Sequence, residues 1–418
     1  MKLKIIILLI SLHCVSALAQ RNEIFASNIA TLQVVANDNW QNPLPVITQD
    51  GLNGNETISI SFDELSHITH RYSYIVNHCE ADWSNSQELI ESDYVNGFAS
   101  GNIIDDYEQS VNTNTQYTHY NIKLPNDRCR PKISGNYTVT VIDEDQDNAP
   151  ILKACFMVTE QTMKSKMTQT ANTDIDINKS HQQINISLDF GSHRVFSPNT
   201  QIKTVVLQNG RWDNAIKNAT PQFIKNDGMV WNYNSNLIFP GGNEYRKFET
   251  LDPTHATMGV ERVSWDVNDY HAWIFTDEPR ANYLYDEDAN GTFCIRNSDN
   301  VDNNTMSEYI QTHFTLKTTK QTNDIFINGS WTQDSLDDRF RMRWNENDSL
   351  YEAVVPLKQG YYNYQYLTRN TDGAITPLPS EGNFYQTENS YQLLVYFRGQ
   401  GERTDRLVNY LNLSCHQP

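Results

Sequence analysis

Short runs of alternating apolar and polar residues recur along the whole chain, and each run is bounded by Asn, Asp, Gly or Pro. Alternation with a period of two places the apolar side chains on one face of a β-strand, and the bounding residues favour turns. No segment shows a long amphipathic helical period. The pattern predicts an all-β protein of tandem immunoglobulin-like or other β-sandwich modules. The clearest runs are Thr57–Phe62, Arg71–Asn77, Thr118–Leu124, Asn136–Ile142 and Ala154–Val158.

Two polar stretches divide the chain into three predicted modules. Residues 161–178 are rich in Thr, Lys, Gln and Asn, and residues 297–304 read Asn-Ser-Asp-Asn-Val-Asp-Asn-Asn. Such stretches offer little to bury and are typical of exposed links or loops. We therefore predict an N-terminal β-sandwich module over residues 20–160, a middle β-rich module over 161–307 and a C-terminal immunoglobulin-like module over 308–418.

The first 19 residues have the composition of a secretory signal peptide. A basic start precedes the apolar run Ile5–Leu12, and Ala17–Ala19 provide small residues for cleavage before Gln20. The apolar run is too short to span a bilayer. His13 precedes Cys14 where a lipoprotein signal needs a small residue. We therefore predict an exported protein that is not itself inserted in a membrane.

The formal net charge of −19 limits the classes of molecule that the protein is expected to bind. An acidic surface repels nucleic-acid phosphates and anionic lipid heads, and it complements a basic surface on another protein. We therefore predict no nucleic-acid binding. The solubility of an exported protein explains the same charge equally well. Aromatic residues make up 11% of the chain, which is enough apolar material for several cores.

Five cysteines follow the predicted signal peptide. Three of them fall in the first module, and export permits disulfides, so one bridge among these three is expected. Which two would pair is not readable from the spacing. The spacings match no zinc pattern. The five residues are Cys79, Cys129, Cys155, Cys294 and Cys415.

One segment of the first module gathers side chains that suit metal binding or thiolate chemistry. His78, Cys79, Asp82 and Trp83 lie within six residues. Strand alternation sends His78 and Cys79 to opposite faces, which disfavours both a shared metal and activation of the thiol by the imidazole. We expect a strand end where Trp83 packs into a sandwich and the carboxylates cap a turn.

Two further segments carry polar side chains of interest. Asp105, Asp106 and Tyr107 precede Glu108, but this order lacks the alternating ligands and the glycine of a calcium loop. The segment that contains Tyr117, His119 and Tyr120 alternates as a strand, and we expect a structural role for it. The chain also lacks a Gly-x-Ser-x-Gly elbow, a phosphate loop and a His-Glu-x-x-His motif. We predict no enzymatic activity, no cofactor and no metal.

In the C-terminal module the run Asp324–Trp331 ends in Gly-Ser-Trp, and a later strand begins Gly-Tyr-Tyr-Asn-Tyr. With these residues the module resembles the early-set immunoglobulin-like domains found beside glycan-active enzymes. Some domains of this kind stack sugars on exposed aromatic rings. The resemblance makes four aromatic residues candidates for glycan stacking, with a core role as the other reading. They are Trp331, Tyr362, Tyr364 and Tyr366.

Seven motifs follow one another in the first module at defined spacings. They are Phe62–Leu65, Tyr72–Trp83, Tyr94–Phe98, Ile104–Ser110, Tyr117–Tyr120, Leu124–Asn126 and Ser134–Tyr137. By the order and spacing of these motifs, the first module resembles the plug protein family of the Bacteroidetes type IX secretion system, over about residues 25–160. Cys129 and Cys155 are not part of the family pattern.

This resemblance implies a periplasmic protein that is held at the outer membrane through the translocon. Its partner would be the large outer-membrane β-barrel translocon, whose periplasmic mouth it would bind and sterically occlude. The family pattern assigns no individual role to the motif residues. The alternative function is that of an exported glycan-binding β-sandwich protein, which rests on the C-terminal aromatics.

Overall fold

A computed structural model of the chain describes residues 21–414 apart from residues 300 and 372. Strands make up 47% of it and helices 6%, which confirms the predicted all-β fold. The predicted signal peptide, Cys14 and Cys415 lie outside the described residues. None of the described helices is long and apolar enough to cross a membrane.

The described strands are numbered in chain order. The first twelve are β1 (Glu23–Ile24), β2 (Ile29–Ala36), β3 (Val46–Thr48), β4 (Ile58–Glu64), β5 (Tyr72–Cys79), β6 (Val95–Gly97), β7 (Asn102–Ile103), β8 (Tyr107–Gln109), β9 (Thr118–Leu124), β10 (Cys129–Pro131), β11 (Gly135–Asp143) and β12 (Ala149–Thr159). The next seven are β13 (Lys164–Thr170), β14 (His181–Asp189), β15 (Ile202–Gln208), β16 (Arg211–Lys217), β17 (Phe223–Ile224), β18 (Gly228–Trp231) and β19 (Ile238–Pro240). The last twelve are β20 (Arg246–Glu249), β21 (Val260–Trp265), β22 (Tyr270–Ile274), β23 (Phe293–Ile295), β24 (Tyr309–Leu316), β25 (Asp324–Asn328), β26 (Arg341–Asn345), β27 (Leu350–Lys358), β28 (Gly360–Arg369), β29 (Ile375–Pro377), β30 (Ser390–Phe397) and β31 (Arg406–Ser414).

The helices are short and connect strands. The α-helices are α1 (Glu91–Tyr94), α2 (Pro198–Gln201) and α3 (Asn303–Met306). The 3-10 helices are Gly51–Asn53, Ser235–Leu237, Ser330–Thr332 and Pro379–Glu381.

The first sandwich packs two sheets around one core. One sheet has the order β1-β12-β11-β5-β7, with β3 paired to β12, and the other has the order β2-β4-β9-β8. Their facing side chains, such as Phe62, Tyr120, Tyr137 and Phe156, are fully buried. Because large aromatic side chains fill this interior, burial of apolar area holds the two sheets together.

The second sandwich is assembled from two distant parts of the chain. Its sheets are β13-β14-β18-β17, with β19 on β14, and β16-β15-β30-β31. Val205 of β15 lies opposite Leu394 of β30, and Met163 shares a core with Val408. The strands after residue 389 therefore belong with residues 163–240 and not with the C-terminal module predicted over 308–418.

The third sandwich is inserted between these two parts. Its ten strands form the order β20-β28-β25-β26-β27-β24-β22-β21, with β23 and β29 also paired to β28. The predicted boundary at residue 307 falls inside it, since β20 to β23 precede that residue and pair with β24 and β28. The described residues of the polar stretch 297–304 connect β23 to α3 within this sandwich, and most of them are exposed, so their polarity reflects exposure and not a module boundary.

The aromatic residues that suggested glycan stacking lie inside the third core. Trp331 is 8% exposed, Tyr362 and Tyr364 are each 1% exposed, and Tyr366 is 0% exposed. Phe248 stacks on Tyr362 at 5.3 Å between ring centroids. A sugar cannot reach these rings, so the prediction that they bind glycan is wrong and the core reading is correct.

The expected disulfide in the first module is also wrong, because Cys79, Cys129 and Cys155 are all free. Cys79 lies on β5 and Cys155 on β12, and β11 runs between these two strands. Two strand spacings separate their backbones by about 10 Å, which exceeds the reach of a disulfide. Cys129 packs into the core of the first sandwich, whereas the other two thiols face the second.

Candidate functional site: the two joints of the first sandwich

The residues of the sequence motifs lie in three places. His78, Cys79 and Trp83 lie where the first sandwich meets the second, and Tyr117 and His119 lie where it meets the third. A third group, Asp105, Asp106 and Tyr107, is exposed near the second of these contacts, while Asp82 is exposed and Tyr120 is buried in the first core. The motifs therefore mark contacts between sandwiches, and they do not converge on one pocket.

The contact with the second sandwich, which we name the apolar joint, is a separate hydrophobic cluster. Each of the two sandwiches contributes six buried residues. The rings of Trp83 and Trp212 meet edge to face, with 5.6 Å between centroids and 89° between planes. Aromatic burial of this kind is typical of a permanent interface. The cluster comprises Leu44, Cys79, Ala81, Trp83, Cys155 and Met157 with Val205, Leu207, Trp212, Leu394, Tyr396 and Leu407.

An ionic network borders the apolar joint. The Arg398 guanidinium binds Glu80 of the first sandwich and Asp405 of the second, the latter at 3.0 Å. Asp405 also accepts bonds from Lys203 at 2.7 Å and from the Ala81 backbone amide at 3.0 Å. Although burial alone would raise it, these donors hold the pKa of the Asp405 carboxyl below its usual range. The network fixes the angle at which the two sandwiches meet.

His78 and Cys79 have structural environments in this joint. His78 Nε2 lies 3.1 Å from the carbonyl oxygen of Ser134 and Nδ1 lies 2.8 Å from Ser86 Oγ, so both ring nitrogens have partners. Burial lowers the pKa of His78 and raises the pKa of Cys79 to about 11. At neutral pH the imidazole is uncharged and the thiol is protonated, so this pair does not form an activated nucleophile.

The turn after β5 has the form expected from its sequence. The Asp82 carboxylate accepts bonds from the Ser84 backbone amide at 3.0 Å and the Ser84 hydroxyl at 2.6 Å. Trp83 has φ 69°, a left-handed conformation that is unusual for a bulky residue. The conformation aims its ring at the second sandwich, so the turn serves the apolar joint.

The contact with the third sandwich, which we name the polar joint, is centred on a buried ion pair. Asp63 is 0% exposed and Lys358 is 1% exposed, and Lys358 Nζ lies 2.6 Å from Asp63 Oδ2. His119 donates to Asp63 Oδ1 at 2.7 Å, and the Tyr309 hydroxyl donates to Oδ2 at 2.7 Å. Burial alone would raise the pKa of Asp63, but Lys358 and His119 hold it below the usual range.

Tyr117 and Glu308 extend the polar joint. The Tyr117 hydroxyl donates to the Ser307 carbonyl at 2.8 Å, and Lys358 Nζ lies 4.1 Å from the centre of the Tyr117 ring. Glu308 accepts bonds from the backbone amides of Asn114 and Thr115. Charged hydrogen bonds to backbone are among the stronger ones, so the loop before β9 is held firmly against the third sandwich.

The exposed motif residues line a cleft beside the polar joint. Asp106 and Glu108 face Asp38 and the Asp302 turn across a cleft of about 380 Å³, and Tyr107 lies between them with 43% of its surface exposed. We name these five residues the acidic rim. None of the four carboxylates forms an ion pair among the residues that the structure covers. The acidic rim is therefore suited to basic side chains of another protein. Asp105 lies outside it and pairs with Arg128 at 3.2 Å.

One group among the described residues has three side chains of metal-ligating type, His70, Asp143 and Asp145. His70 Nδ1 lies 3.0 Å from Asp143 and its Nε2 lies 3.4 Å from Glu64. Both ring nitrogens thus lie beside carboxylates of the protein itself. The group includes none of the candidate residues taken from the sequence.

The three sandwiches meet at a cavity of about 120 Å³. Leu44 of the first, Arg211 of the second and Asp334 of the third line its wall. Arg211 binds Asp213 through two bonds of 3.0 and 2.6 Å, which leaves Asp334 without a dedicated cation. Burial and the nearby Asp213 carboxylate raise the pKa of Asp334 to about 6.

We expect the stability of the protein to rise as the pH falls from 8 to 5, because Asp334 gains a proton in the folded state before it does so unfolded. The stabilisation is lost as pH rises through about 6. Asp334→Asn should remove about 1 kcal/mol of this pH dependence. Denaturant unfolding at several pH values measures it, and Asp227→Asn at an exposed position is the control. An unchanged slope in Asp334→Asn would contradict the assignment.

Sequence reasoning missed several residues of both joints. Asp63 lies within one of the sequence motifs, but alternation places it on the polar face of its strand with Ser59 and Ser61, so the sequence carries no sign of its burial. Lys358, Tyr309 and Trp212 carry no local signal, since each acquires its role from a partner more than a hundred residues away. Such pairs become visible only in the folded chain.

Comparisons with known proteins match the first sandwich to one family and nearly the whole chain to a solved structure. Residues 29–160 match the family described as type 9 secretion system plug protein first domain. A crystal structure of a hypothetical protein from Parabacteroides merdae ATCC 43184 is similar over 94% of this chain and 99% of that chain, with 39% sequence identity and a TM-score of 0.90. No protein in the curated set matches the chain. The family match spans the sandwich that supplies the motif residues to both joints.

Proposed function

We propose that this chain, whose first sandwich is a plug-family module of the type 9 secretion system, binds and sterically occludes the periplasmic mouth of the large outer-membrane barrel of that system. The plug-family module supports a role in type IX secretion and a place in the cell envelope. The proposal adds the periplasmic location, reached through a cleaved signal peptide, and the barrel as the partner.

The observation that carries this proposal is the double joint. Sandwiches within one chain ordinarily move relative to one another unless their interface is large and hydrophobic. Here an apolar cluster of twelve residues holds the first sandwich to the second, and a buried ion pair holds it to the third. Because both joints fix the relative positions of the sandwiches, the protein is rigid. Steric closure of a wide pore requires a rigid protein.

The surface chemistry fits reversible binding. The acidic rim offers four carboxylates without ion-pair partners in the described part of the chain, and the whole chain carries a net charge of −19. Charges at a rim affect mainly the rate and specificity of association. We infer that basic residues around the barrel mouth face the acidic rim. Glycan binding has no comparable support, because the four aromatic residues that suggested it are buried.

The test is a deletion strain complemented from a plasmid. Loss of the gene should admit a large antibiotic that the intact outer membrane excludes, and the wild-type chain should restore exclusion. Affinity purification from the same membranes should recover the barrel. An outer membrane that stays impermeable without the gene, together with a purified chain that brings no barrel with it, would contradict the proposal.

A further inference from the structure

The third sandwich leaves one sheet face open to solvent. Strands β26, β27, β24, β22 and β21 lie side by side, and their inward residues, such as Ala272 and Phe314, are buried in the core. Their outward residues include Val354, which is 49% exposed, and Trp273, which is partly exposed. We name the outward residues of these five strands the open face. An exposed valine beside a partly exposed tryptophan on an uncovered sheet is typical of an interaction surface.

A row of stacked side chains crosses the open face. Register places Arg262 beside Trp273, Trp273 beside His313, and His313 beside Val354 on four adjacent strands. The Arg262 guanidinium carbon lies 3.4 Å from the centre of the Trp273 ring, and the Trp273 and His313 rings stack at 4.4 Å with 13° between planes. At strand spacing the row spans about 14 Å.

This stacking restricts what the row can bind. Arg262 and His313 flank Trp273 on opposite sides, so both faces of the indole are covered and neither can stack on a sugar. The stacked side chains of the row are also already fixed in place in the protein without a partner. An interface built on side chains that are already immobile loses less conformational entropy on binding.

Arg262 is the unpaired arginine of the open face among the described residues, since Arg341 and Arg343 of β26 both pair with Asp338. None of the ion pairs formed within the described residues includes Arg262. The nearest acidic turn is engaged elsewhere, since Asp266 accepts bonds from His271 at 2.9 Å and from the backbone amides of Asn268 and Asp269. His271 in turn lies 2.8 Å from His313 Nε2. A guanidinium stacked on a ring keeps its N–H edge free for two parallel bonds to a carboxylate.

We propose that the open face docks an acidic segment of the outer-membrane barrel, with a carboxylate of that segment bound by Arg262 and an apolar residue packed on Val354. This inference rests on the proposed function and assigns one contact surface to it. The general acidity of the chain does not oppose it, because charges farther than about 8 Å away are screened at physiological salt. Arginine and tryptophan are also the residues most enriched where binding energy concentrates.

Charge reversal tests the proposal in the full-length chain expressed in the deletion strain. Arg262→Glu should reduce barrel recovery in affinity purification at least tenfold, because it sets a carboxylate against the acidic segment. Arg262→Lys should recover an intermediate amount, since it keeps the charge but loses the paired bonds. Arg194→Glu is the matched control, because Arg194 is exposed on the second sandwich and has no ion pair among the described residues. Equal melting temperatures establish that the variants are folded.

A photo-crosslinking residue identifies the occupant. Placed at Val354 it should link the chain to the barrel, and placed at Phe196, which is 74% exposed on the second sandwich, it should not. Equal barrel recovery by wild type and Arg262→Glu would overturn this inference and leave the proposed function standing. A crosslink from Val354 to a second copy of the chain would also overturn it. Failure of the wild-type chain to recover any barrel would overturn both.

Discussion

Lys358→Met should lower the free energy of unfolding by about 3–5 kcal/mol, the usual cost of removing one partner from a buried ion pair. The Asp63 carboxylate would stay at 0% exposure with only His119 and the Tyr309 hydroxyl as partners. Lys358 also donates to the Asn304 carbonyl at 2.6 Å, so one backbone acceptor loses its partner as well. Denaturant unfolding followed by tryptophan fluorescence measures the change.

The matched control is Lys317→Met. Lys317 pairs with Glu278 at 2.9 Å, but both side chains are more than 60% exposed, and exposed pairs contribute about 0–1 kcal/mol. The double variant Asp63→Asn with Lys358→Met removes both charges, and it should be more stable than Lys358→Met alone. If Lys358→Met were as stable as Lys317→Met, the ion pair would not hold the polar joint.

The position of the ion pair links stability to function. Asp63 is the last but one residue of β4 in the first sandwich, and Lys358 ends β27 in the third, 295 residues later. If this ion pair is weakened, the first and third sandwiches can tilt relative to each other, although each sandwich keeps its own hydrophobic core. Cells that carry Lys358→Met are therefore expected to admit more antibiotic than wild type even when the protein accumulates normally. Antibiotic entry and immunoblotting of the same cultures measure both quantities.

The strands of this protein were predictable because their signal is local. The run Thr118–Leu124 has the bounds of β9, and the run Arg71–Asn77 overlaps β5. Alternation of apolar and polar residues over six or seven positions indicates a strand with one buried and one less buried face, and the turn residues mark the ends of that strand. The all-β fold follows from such segments without any knowledge of which strands pair.

Pairing between distant strands was not predictable from the same signal. β15 pairs with β30, although nearly the whole third sandwich lies between them in sequence. Tyr362, Tyr364 and Tyr366 show the same difficulty at the level of a side chain. Their spacing correctly places them on one face of β28, but only the position of that strand within the sandwich decides that the face is the buried one.

The candidate site was predictable only in part. The motif order pointed to the correct sandwich, and the turn-capping role of Asp82 and the packing of Trp83 were expected from the strand end. The role of the motifs in joining the sandwiches was not predictable, because each joint depends on a second surface that is distant in sequence. The role of Trp83 becomes clear only from its contact with Trp212.

Trp212→Ala should therefore have a large effect, about 3–5 kcal/mol, as for other buried tryptophans replaced by alanine. Trp212 is 8% exposed, meets Trp83 in the apolar joint and also lines the cavity where the three sandwiches meet. The void would lie between two sandwiches and within neither core. We expect calorimetry to show the second sandwich unfolding apart from the first, where the wild type unfolds in one transition.

Phe196→Ala is the control for this substitution, because Phe196 is also an aromatic residue of the second sandwich but is 74% exposed. It should leave the melting temperature and the single transition unchanged. Trp212→Phe should recover part of the loss, since a smaller ring still contacts Trp83. A single transition in Trp212→Ala, with the stability of wild type, would show that the ionic network of Glu80, Arg398 and Asp405 alone maintains the joint, and the apolar cluster would then lose its assigned role.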